Sequence, residues 1–355
     1  MLDFTSALYL GLRHPTRSLP TWSKFTTGVP AALAEPPASE QVADRLARLQ
    51  TCEHGILGTS TFHLFWDLFG MFKRRSAKVY VDAGLYPIAR WGVERAAARG
   101  TPVREFAHYD PEAFRNWLKR DKQTRLRPAL VTDGFCPDCG RPAPLSEYLE
   151  SLRACGGRLI VDDTQALGVF GRSPAPDAPF GRGGGGMLPH LQVGGPDVMT
   201  ISSLAKAFGV PVAVLSGSRS AVQRFEANSE TRIHCSPPSV PVIRAAEHAL
   251  SLNRKYGDGL RLRLASLVKY FRHGAQSAGF RFTGGIFPVQ TLAPISAAVT
   301  GRLHQRLLRQ GVRAVLRRSL DGRSDRLSFV ITARHTPESI DTAIAALMEA
   351  LPSRS

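Results

Sequence analysis

A lysine follows two serines in the segment ISSLAKAFGVP, which contains Ser202, Ser203 and Lys206. A lysine amine can form an imine, or Schiff base, with an aldehyde, and the two hydroxyl groups can donate hydrogen bonds to a phosphate. On its own, a lysine in this position is usually a solvated surface residue. The segment therefore indicates imine chemistry only if other groups converge on it.

Asp162 ends the apolar run RLIVD, which predicts a central strand. A carboxylate at the end of a buried strand is costly unless it meets a partner, and a protonated pyridine nitrogen is such a partner. The charge of Asp162 would keep that nitrogen protonated and the ring an effective electron sink. We expect the neighbouring Asp163 to be a loop or N-cap residue instead.

The segment ILGTSTFHLFWD predicts a turn that leads into an apolar helix near Thr61 and Phe62. Free backbone amides and hydroxyl groups at a helix N-terminus can bind a phosphate. The same pattern also occurs in an ordinary helix cap. The turn therefore indicates a phosphate site only in combination with Asp162 and Lys206.

Short apolar, β-branched runs alternate with helical stretches through the middle of the chain. This alternation predicts an α/β fold with a mostly parallel sheet sandwiched by helices. From about Ser239 the pattern predicts a long helical region, further strands and a closing helix that Thr336 caps, which together form a smaller α+β domain. The predicted strands of the large sheet are 78–84, 129–134, 158–163, 197–203 and 211–217.

We expect an N-terminal arm over 1–40 that packs on one of the domains, a large domain over 41–238 and a small domain over 239–355. The segment 173–195 is rich in proline and glycine, which predicts a flexible loop. No apolar stretch approaches the roughly 18 residues that a spanning helix needs, and the N-terminus lacks the pattern of a secretory signal. We therefore expect a cytoplasmic protein that does not associate with membranes.

The net charge of +17 is carried mostly by arginine residues spread along the chain. This spread argues against a nucleic-acid-binding arm, and it suits either an ordinary solvated surface or phosphorylated and acidic partners. Cys136 and Cys139 form a CxxC motif, whereas the other three cysteines are isolated. Because a structural zinc site would need a second pair, we expect two free thiols, no metal site and no disulfide framework.

The order of the phosphate-binding turn, the aspartate and the lysine resembles that of fold-type I pyridoxal-phosphate enzymes, which share the aminotransferase class I/II fold. From about Leu46 to Leu351 the chain resembles the α-oxoamine synthase family, which includes amino-oxononanoate synthase, glycine C-acetyltransferase and aminolevulinate synthase. The blocks VTDG, APL and VDDTQALGVFG are similar to the family's VTDG, APL and VDDAHxxGVxG, and SSLAKAFG is similar to its TxxKAFG motif. REFAHYDPEAF and CSPPS are similar to its FxHND and SxPP segments.

The resemblance implies that pyridoxal 5'-phosphate is bound as a Schiff base to Lys206, with Asp162 at the pyridine nitrogen. Both residues are then catalytic. It also implies that Thr61, Phe62 and Ser203 contact the cofactor.

Two further cofactor contacts follow from positions where the chain departs from the family. Gln165 replaces the histidine that bonds the phenolic oxygen of the cofactor; an amide can donate the same hydrogen bond but cannot exchange protons. Tyr86 aligns with the histidine that stacks on the ring and can still lie over it. Pro137 replaces a serine that contacts the same oxygen. These changes point to an altered substrate or reaction.

Ser328 replaces the family arginine that binds the carboxylate of the amino-acid substrate. Arg317, Arg318 and Arg326 are nearby in sequence and could take over this role, because a guanidinium suits bidentate carboxylate binding. Arg317 aligns with a second arginine of the amino-oxononanoate synthase branch. It is therefore our expected substrate-binding residue.

The resemblance implies a homodimeric, pyridoxal-phosphate-dependent acyltransferase that condenses an amino acid with an acyl thioester of coenzyme A or acyl carrier protein. The SPPS segment at 236–239 matches the family region that reaches across the dimer. Gln165 and Ser328 keep an alternative open, namely aminotransfer, aldol-type cleavage or β-elimination on an amino acid. A third alternative is a non-catalytic relative that serves as a binding or scaffold subunit.

Overall fold

The computed structural model describes residues 1–72, 76–122, 126–294, 296–317 and 325–350. The helices in these ranges are α1 Ser39–Leu49, α2 Thr61–Gly70, α3 Pro87–Ala98, α4 Pro111–Asp121, α5 Leu145–Arg153, α6 Met187–His190, α7 Arg219–Asn228, α8 Glu230–His234, α9 Val240–Ser277, α10 Ala297–Arg309 and α11 Pro337–Ala350. The strands are β1 Leu2–Asp3, β2 His54–Gly58, β3 Ala77–Asp82, β4 Val103–Phe106, β5 Arg127–Asp133, β6 Phe135–Cys136, β7 Arg141–Pro142, β8 Arg158–Asp162, β9 Val198–Ser203, β10 Ala213–Gly217, β11 Phe282–Thr283, β12 Val289–Leu292, β13 Val312–Arg313, β14 Val315–Arg317 and β15 Arg326–Val330.

Seven strands of the described residues form the central sheet in the order β2-β10-β9-β8-β5-β3-β4. The five strands from β9 to β4 run parallel, and β10 is antiparallel to both of its neighbours. Successive apolar residues of these strands enter two separate cores, so helices α2, α3 and α7 cover one face and α1, α4 and α5 cover the other. The predicted parallel sheet sandwiched by helices is confirmed.

The strands that precede the expected site residues end at one edge of this sheet. Asp133 at the end of β5 pairs with Asp162 at the end of β8. Ala213 of β10 pairs with both Ser203 of β9 and Gly58 of β2. The carboxyl ends of β2, β9, β8 and β5 therefore share one edge, where open α/β sheets bind their ligands.

A second, antiparallel sheet has the order β11-β12-β15-β14 and follows the long helix α9. Helix α9 begins at Val240, next to the position where the sequence predicts a change of pattern. Helix α11 has the predicted cap, because Ser339 N donates a 3.3 Å hydrogen bond to Thr336 Oγ1. None of the helices in the described ranges has the length and apolar character needed to cross a membrane.

The N-terminal arm contacts both sheets, whereas the sequence predicts that it packs on one domain. Leu2 in β1 pairs with Val312 in β13, beside the small sheet. Further along, His14 Nε2 lies 2.8 Å from the carbonyl oxygen of Phe208, which follows a strand of the large sheet. Tyr9, between these points, is almost completely buried. Apolar anchors of this kind hold the arm across both parts of the chain.

The segment 173–195 is largely irregular, as predicted, but it is interrupted by the short helix α6. Hydrogen bonds fix it against α9: Gly183 N donates to Asp258 Oδ1 at 2.8 Å, and the Gly183 carbonyl accepts from Asn253 Nδ2 at 2.9 Å. The glycine and proline content indicates the irregular backbone. It carries no information about these tertiary bonds, and the flexibility of the loop stays a prediction.

Candidate functional site

Lys206 and Asp162 follow or end neighbouring strands at the carboxyl edge of the sheet. Asp162 is the last residue of β8, and Lys206 comes shortly after the end of β9. Burial raises the pKa of Asp162, whereas hydrogen bonding to Thr164 and the charge of Lys206 act in the opposite direction. Burial also lowers the pKa of Lys206, and the charge of Asp162 opposes that shift. The structure thus brings the two expected catalytic residues within electrostatic reach of each other.

Asp133 adds a second buried carboxylate beside Asp162. Burial raises its pKa well above the ordinary value, and the charge of Asp162 raises it further. Its Oδ1 accepts a 3.2 Å hydrogen bond from the backbone N of Tyr86. A positively charged group at this edge would offset the cost of ionising these two carboxyl groups.

Asp163 differs from its neighbour in its contacts. It is completely buried, and its Oδ2 accepts a 2.9 Å hydrogen bond from the N of Met187, the first residue of α6. Gly186, the N-cap of α6, leaves no room for a Cβ next to this carboxylate. Asp163 therefore anchors a helix start, in line with the loop or capping role that the sequence suggests.

Gln165 contacts the N-terminal arm through its amide oxygen. The hydroxyl of Tyr9 donates a 2.8 Å hydrogen bond to Gln165 Oε1. Burial raises the pKa of Tyr9, so the phenol keeps its proton and acts as the donor. With its oxygen occupied in this way, Gln165 has its Nε2 group left to donate. No sequence motif marks Tyr9, so its contact with the site was not predicted.

The two serines ahead of Lys206 have different surroundings. Ser203 is half-buried and its Oγ accepts a 3.2 Å hydrogen bond from Ala205 N, which leaves its hydroxyl hydrogen free to donate. Ser202 is buried, and its Oγ accepts a 3.0 Å hydrogen bond from Gln50 Nε2. Successive strand residues point to opposite faces. The suggestion that Ser202 binds a phosphate is therefore wrong, and Ser203 remains the candidate.

Thr61 and Phe62 are the first residues of helix α2, as expected. The N-cap residue Ser60 makes no side-chain capping bond, and its Oγ instead lies 2.8 Å from His63 Nδ1. The amides of the first turn are thus not satisfied by a capping side chain and are able to bind an anion. Phe62 is 36% exposed and its ring lies 5.6 Å from that of Trp66. Direct contact of either residue with a cofactor stays a prediction.

Tyr86 is brought to the same edge by its backbone. It is the N-cap residue of α3, and its N–H binds Asp133, the strand neighbour of Asp162. Its side chain is 51% exposed, so the ring is not packed in the core. Stacking of Tyr86 on a cofactor ring is compatible with this placement and stays a prediction.

Arg317, the expected substrate-binding residue, is paired with a carboxylate of the protein itself. Its Nη2 lies 2.7 Å from Oδ1 of Asp138, and Arg326 Nη1 lies 3.8 Å from Oδ2 of the same residue. Arg318 lies outside the described residues. Arg317 can therefore reach the loop that follows β6, but a substrate carboxylate would compete with Asp138 for it.

His108 is a neighbour of the CxxC motif that the sequence did not predict. His108 Nε2 lies 3.6 Å from Cys139 Sγ, 31 positions later in the chain. The segment around His108 stood out only through its similarity to a family motif, and spacing alone gave no sign of this contact.

Similarity to known proteins extends over most of the chain. The sequence model of the aminotransferase class I and II family matches residues 36–347. The 8-amino-7-oxononanoate synthase of Sodalis glossinidius is 29% identical over 98% of this chain and 88% of its own length. That of Methylococcus capsulatus is 30% identical over 72% of this chain, and this match spans only 64% of the relative.

Solved structures share the fold at low sequence identity. A Sphingomonas wittichii serine palmitoyltransferase superposes with a TM-score of 0.83 and 16% identity, covering 98% of this chain and 86% of that one. The 8-amino-7-oxononanoate synthase of Francisella tularensis gives a TM-score of 0.74 at 16% identity, covering 98% and 97%. The fold-type I architecture expected from the sequence is therefore confirmed.

Proposed function

Because the chain belongs to the aminotransferase class I and II family, we propose that it is a pyridoxal-phosphate-dependent acyltransferase of the α-oxoamine synthase type. The reaction joins the Cα of an amino acid to the acyl group of a thioester and releases the thiol. The observation that carries this proposal is the placement of Lys206 beside Asp162 at the carboxyl edge of the sheet. The near-full-length similarity to an 8-amino-7-oxononanoate synthase favours this reaction over others of the family.

The residues at this edge fit pyridoxal phosphate, the cofactor expected from the sequence. The charge of the buried Asp162 is costly without a cation, and a protonated pyridine nitrogen supplies one. The amides of the first turn of α2, with Thr61 and Ser203, would bind the phosphate; Gln165 would donate to the phenolic oxygen, and Tyr86 would lie over the ring. When bound, this cofactor supplies an aldehyde for amines and a ring that accepts electrons.

Lys206 has two tasks in this proposal, to hold the cofactor and to move a proton at the Cα of the amino acid. Because burial lowers its pKa, a larger fraction of the amine is neutral near neutral pH than in a solvated lysine. A neutral amine can accept the Cα proton and return it later. Gln165 has no titratable group, so it cannot take this proton.

The acyl donor is proposed to carry phosphate or acidic groups, as coenzyme A and acyl carrier proteins do. The net charge of +17 attracts such partners over a distance. In addition, a cavity of about 570 Å³ is lined by five arginines, Arg45, Arg48, Arg172, Arg182 and Arg254. If these charges attract the acyl donor, the KM for the donor should rise with salt concentration. A KM that does not depend on salt would exclude an electrostatic role.

The second candidate is another pyridoxal-phosphate reaction on an amino acid. It is favoured by Ser328, which replaces the carboxylate-binding arginine of the family. Ser328 is only 9% exposed and its Oγ lies 2.8 Å from Thr291 Oγ1. Its hydroxyl is thus hydrogen-bonded within the small sheet and cannot bind a substrate carboxylate. Other groups therefore have to bind the carboxylate of the amino acid.

We also propose that the enzyme is a homodimer and acts in the cytoplasm. The SPPS segment that reaches across in the family lies next to the helix start of the site, since Thr59 Oγ1 donates to the Ser236 carbonyl at 3.5 Å. Phe62 and Trp91, whose rings are 6.2 Å apart, are 36% and 48% exposed on the same side. Aromatic groups of this size are common at subunit interfaces.

Product analysis tests the proposed reaction. The purified protein is loaded with pyridoxal phosphate and incubated with single amino acids and either an acyl-coenzyme A or an acyl carrier protein thioester. We expect an acylated product and one free thiol per turnover, and neither in Lys206→Ala. Borohydride should fix the cofactor to wild type but not to Lys206→Ala. An amino-acid-derived product without thioester consumption would replace this proposal with the second candidate.

A further inference from the structure

A histidine and two cysteines meet at a turn beside the candidate site. An imidazole nitrogen of His108 and the Sγ atoms of Cys136 and Cys139 all lie within 4.8 Å of one another. This is the one group of three or more possible metal ligands found in the described part of the chain. For tetrahedral zinc with Zn–S of about 2.3 Å and Zn–N of about 2.0–2.1 Å, the N to S separation is about 3.6 Å. The distance from His108 Nε2 to Cys139 Sγ is 3.6 Å.

The imidazole of His108 is oriented for metal binding by Asp82. His108 Nδ1 lies 2.5 Å from Asp82 Oδ1, and this carboxylate also accepts from Gly84 N at 2.7 Å and Tyr109 N at 2.9 Å. Because a carboxylate only accepts, the ring carries its proton on Nδ1 and turns the lone pair of Nε2 toward the cysteines. A carboxylate behind a histidine is the usual outer support of a metal ligand.

The backbone of the CxxC turn also suits thiolate ligands. Cys139 N donates to Cys136 Sγ at 3.4 Å, and Gly140 N donates to the Cys136 carbonyl at 2.9 Å. Gly140 has a φ of +68°, which other residues rarely adopt, and so lets the chain turn directly after the second cysteine.

We infer that His108, Cys136 and Cys139 form a binding site for a thiophilic divalent cation such as Zn²⁺. Two thiolates and one neutral imidazole give three protein ligands and a neutral site, with water in the fourth position. Cys136 is buried and Cys139 is half-buried, so the turn offers both a fixed ligand and access from solvent. The inference does not rest on the proposed acyl-transfer reaction, because none of the three ligands is among the residues proposed to hold the cofactor.

Metal content of the untagged, full-length protein tests this inference. Protein reduced with a phosphine is equilibrated with Zn²⁺ in a chelator series, and bound zinc is measured by mass spectrometry together with the melting temperature. We expect one zinc per chain, a rise in melting temperature on zinc addition, and two fewer thiols that react with a thiol reagent. Asp82→Asn should weaken zinc binding about 10- to 100-fold.

Matched serine variants decide the outcome. Cys136→Ser and Cys139→Ser should lose both the bound zinc and the zinc-dependent rise in melting temperature, whereas Cys155→Ser, which changes an exposed cysteine elsewhere, should keep them. Equal zinc binding in all three variants would place the ion elsewhere and overturn the inference. Absence of stoichiometric zinc in the reduced wild-type protein would also overturn the inference. The cluster would then be a thiol–imidazole pair or an oxidisable dithiol.

Discussion

The hydroxyl of Tyr9 donates a 2.8 Å hydrogen bond to Oε1 of Gln165 across 156 positions of sequence. The ring of Tyr9 is itself held by the small domain, since it packs edge-to-face on Phe287 at 5.4 Å and its carbonyl accepts from Ala333 N. The N-terminal arm thus sets the orientation of the Gln165 amide. Our prediction that this amide donates to the cofactor in place of a histidine requires an oriented amide, and Tyr9 provides that orientation.

Tyr9→Phe is expected to weaken pyridoxal phosphate binding while leaving the fold intact. Phenylalanine keeps the ring packing but leaves Gln165 Oε1 without its donor. One hydrogen bond contributes about 0.5–1.5 kcal/mol, or about two- to twelvefold in the cofactor Kd. The Kd is measured by titrating apo-protein and following cofactor absorbance. Tyr270→Phe, which removes an exposed hydroxyl bound to Asp341, should not change it; an equal effect in both variants would contradict the role of Tyr9.

The parts of the site that sequence predicted are those that local pattern encodes. Lys206 and Asp162 follow or end apolar strands, and strand ends in a parallel sheet converge on one edge, so their approach was predictable. The contacts Tyr9–Gln165 and His108–Cys139 join segments far apart in the chain, and polar side chains on irregular backbone carry no periodicity. Their meeting depends on how the arm and the loops pack. That packing cannot be deduced from spacing.

Asp162→Asn is expected to lower kcat far more than Asp163→Asn. Asp162 would lose a charge-assisted contact with the ring nitrogen, at a cost of about 1.5–3 kcal/mol or about 10- to 150-fold. Burial raises the pKa of Asp163 well above its ordinary value, so a neutral amide alters little there, and asparagine can still accept from Met187 N. Steady-state kinetics of both cofactor-loaded variants give the order of their kcat values, and melting temperatures show whether each variant is folded. The reverse order would mean that Asp163 is the functional carboxylate.

The reactivity of Lys206 is expected to move to lower pH in Asp162→Asn. In the wild type, burial lowers the pKa of Lys206 from its ordinary 10.5, and the negative charge of Asp162 partly opposes this. Without that charge the ammonium form loses its stabilisation, so the pKa falls further and the neutral, reactive amine forms at lower pH.

The measurement is the pH dependence of Lys206 modification by a small aldehyde and borohydride, followed by peptide mass spectrometry in apo-protein. Asp163→Asn is the control and should follow the wild-type profile. A shift of the Asp162→Asn profile to higher pH would show that the two groups do not interact as described.

The chain is expected to sediment as a dimer that Trp91→Ser weakens. Trp91 and Phe62 form an exposed aromatic pair beside the site, and losing one interface tryptophan costs about 2 kcal/mol, or roughly thirtyfold in the dimer dissociation constant. Sedimentation velocity over a concentration series measures this constant. Tyr256→Ser, which removes a 50% exposed aromatic from α9, is the control. A fully active wild-type monomer would rule out the shared-site dimer.

Arg317→Ala is expected to raise the amino-acid concentration needed to perturb the cofactor spectrum, if this arginine has taken over carboxylate binding from the position of Ser328. Loss of an arginine–carboxylate contact costs on the order of 2 to 3 kcal/mol, or roughly a hundredfold. Arg317 is paired with Asp138 at 2.7 Å, in a contact that leaves about half of each side chain exposed.

Asp138→Asn separates a substrate role from a purely structural ion pair. An exposed pair contributes about 0–1 kcal/mol, so removing the competing carboxylate should tighten amino-acid binding by up to about fivefold when Arg317 binds the substrate. If the pair only joins the small domain to the turn after β6, Asp138→Asn and Arg317→Ala should have the same small effect on melting temperature and none on amino-acid affinity. If Arg317 exchanges the carboxylate of Asp138 for that of the substrate, the two variants should have opposite effects in the same spectral titration. Arg317→Ala should weaken amino-acid binding, and Asp138→Asn should strengthen it.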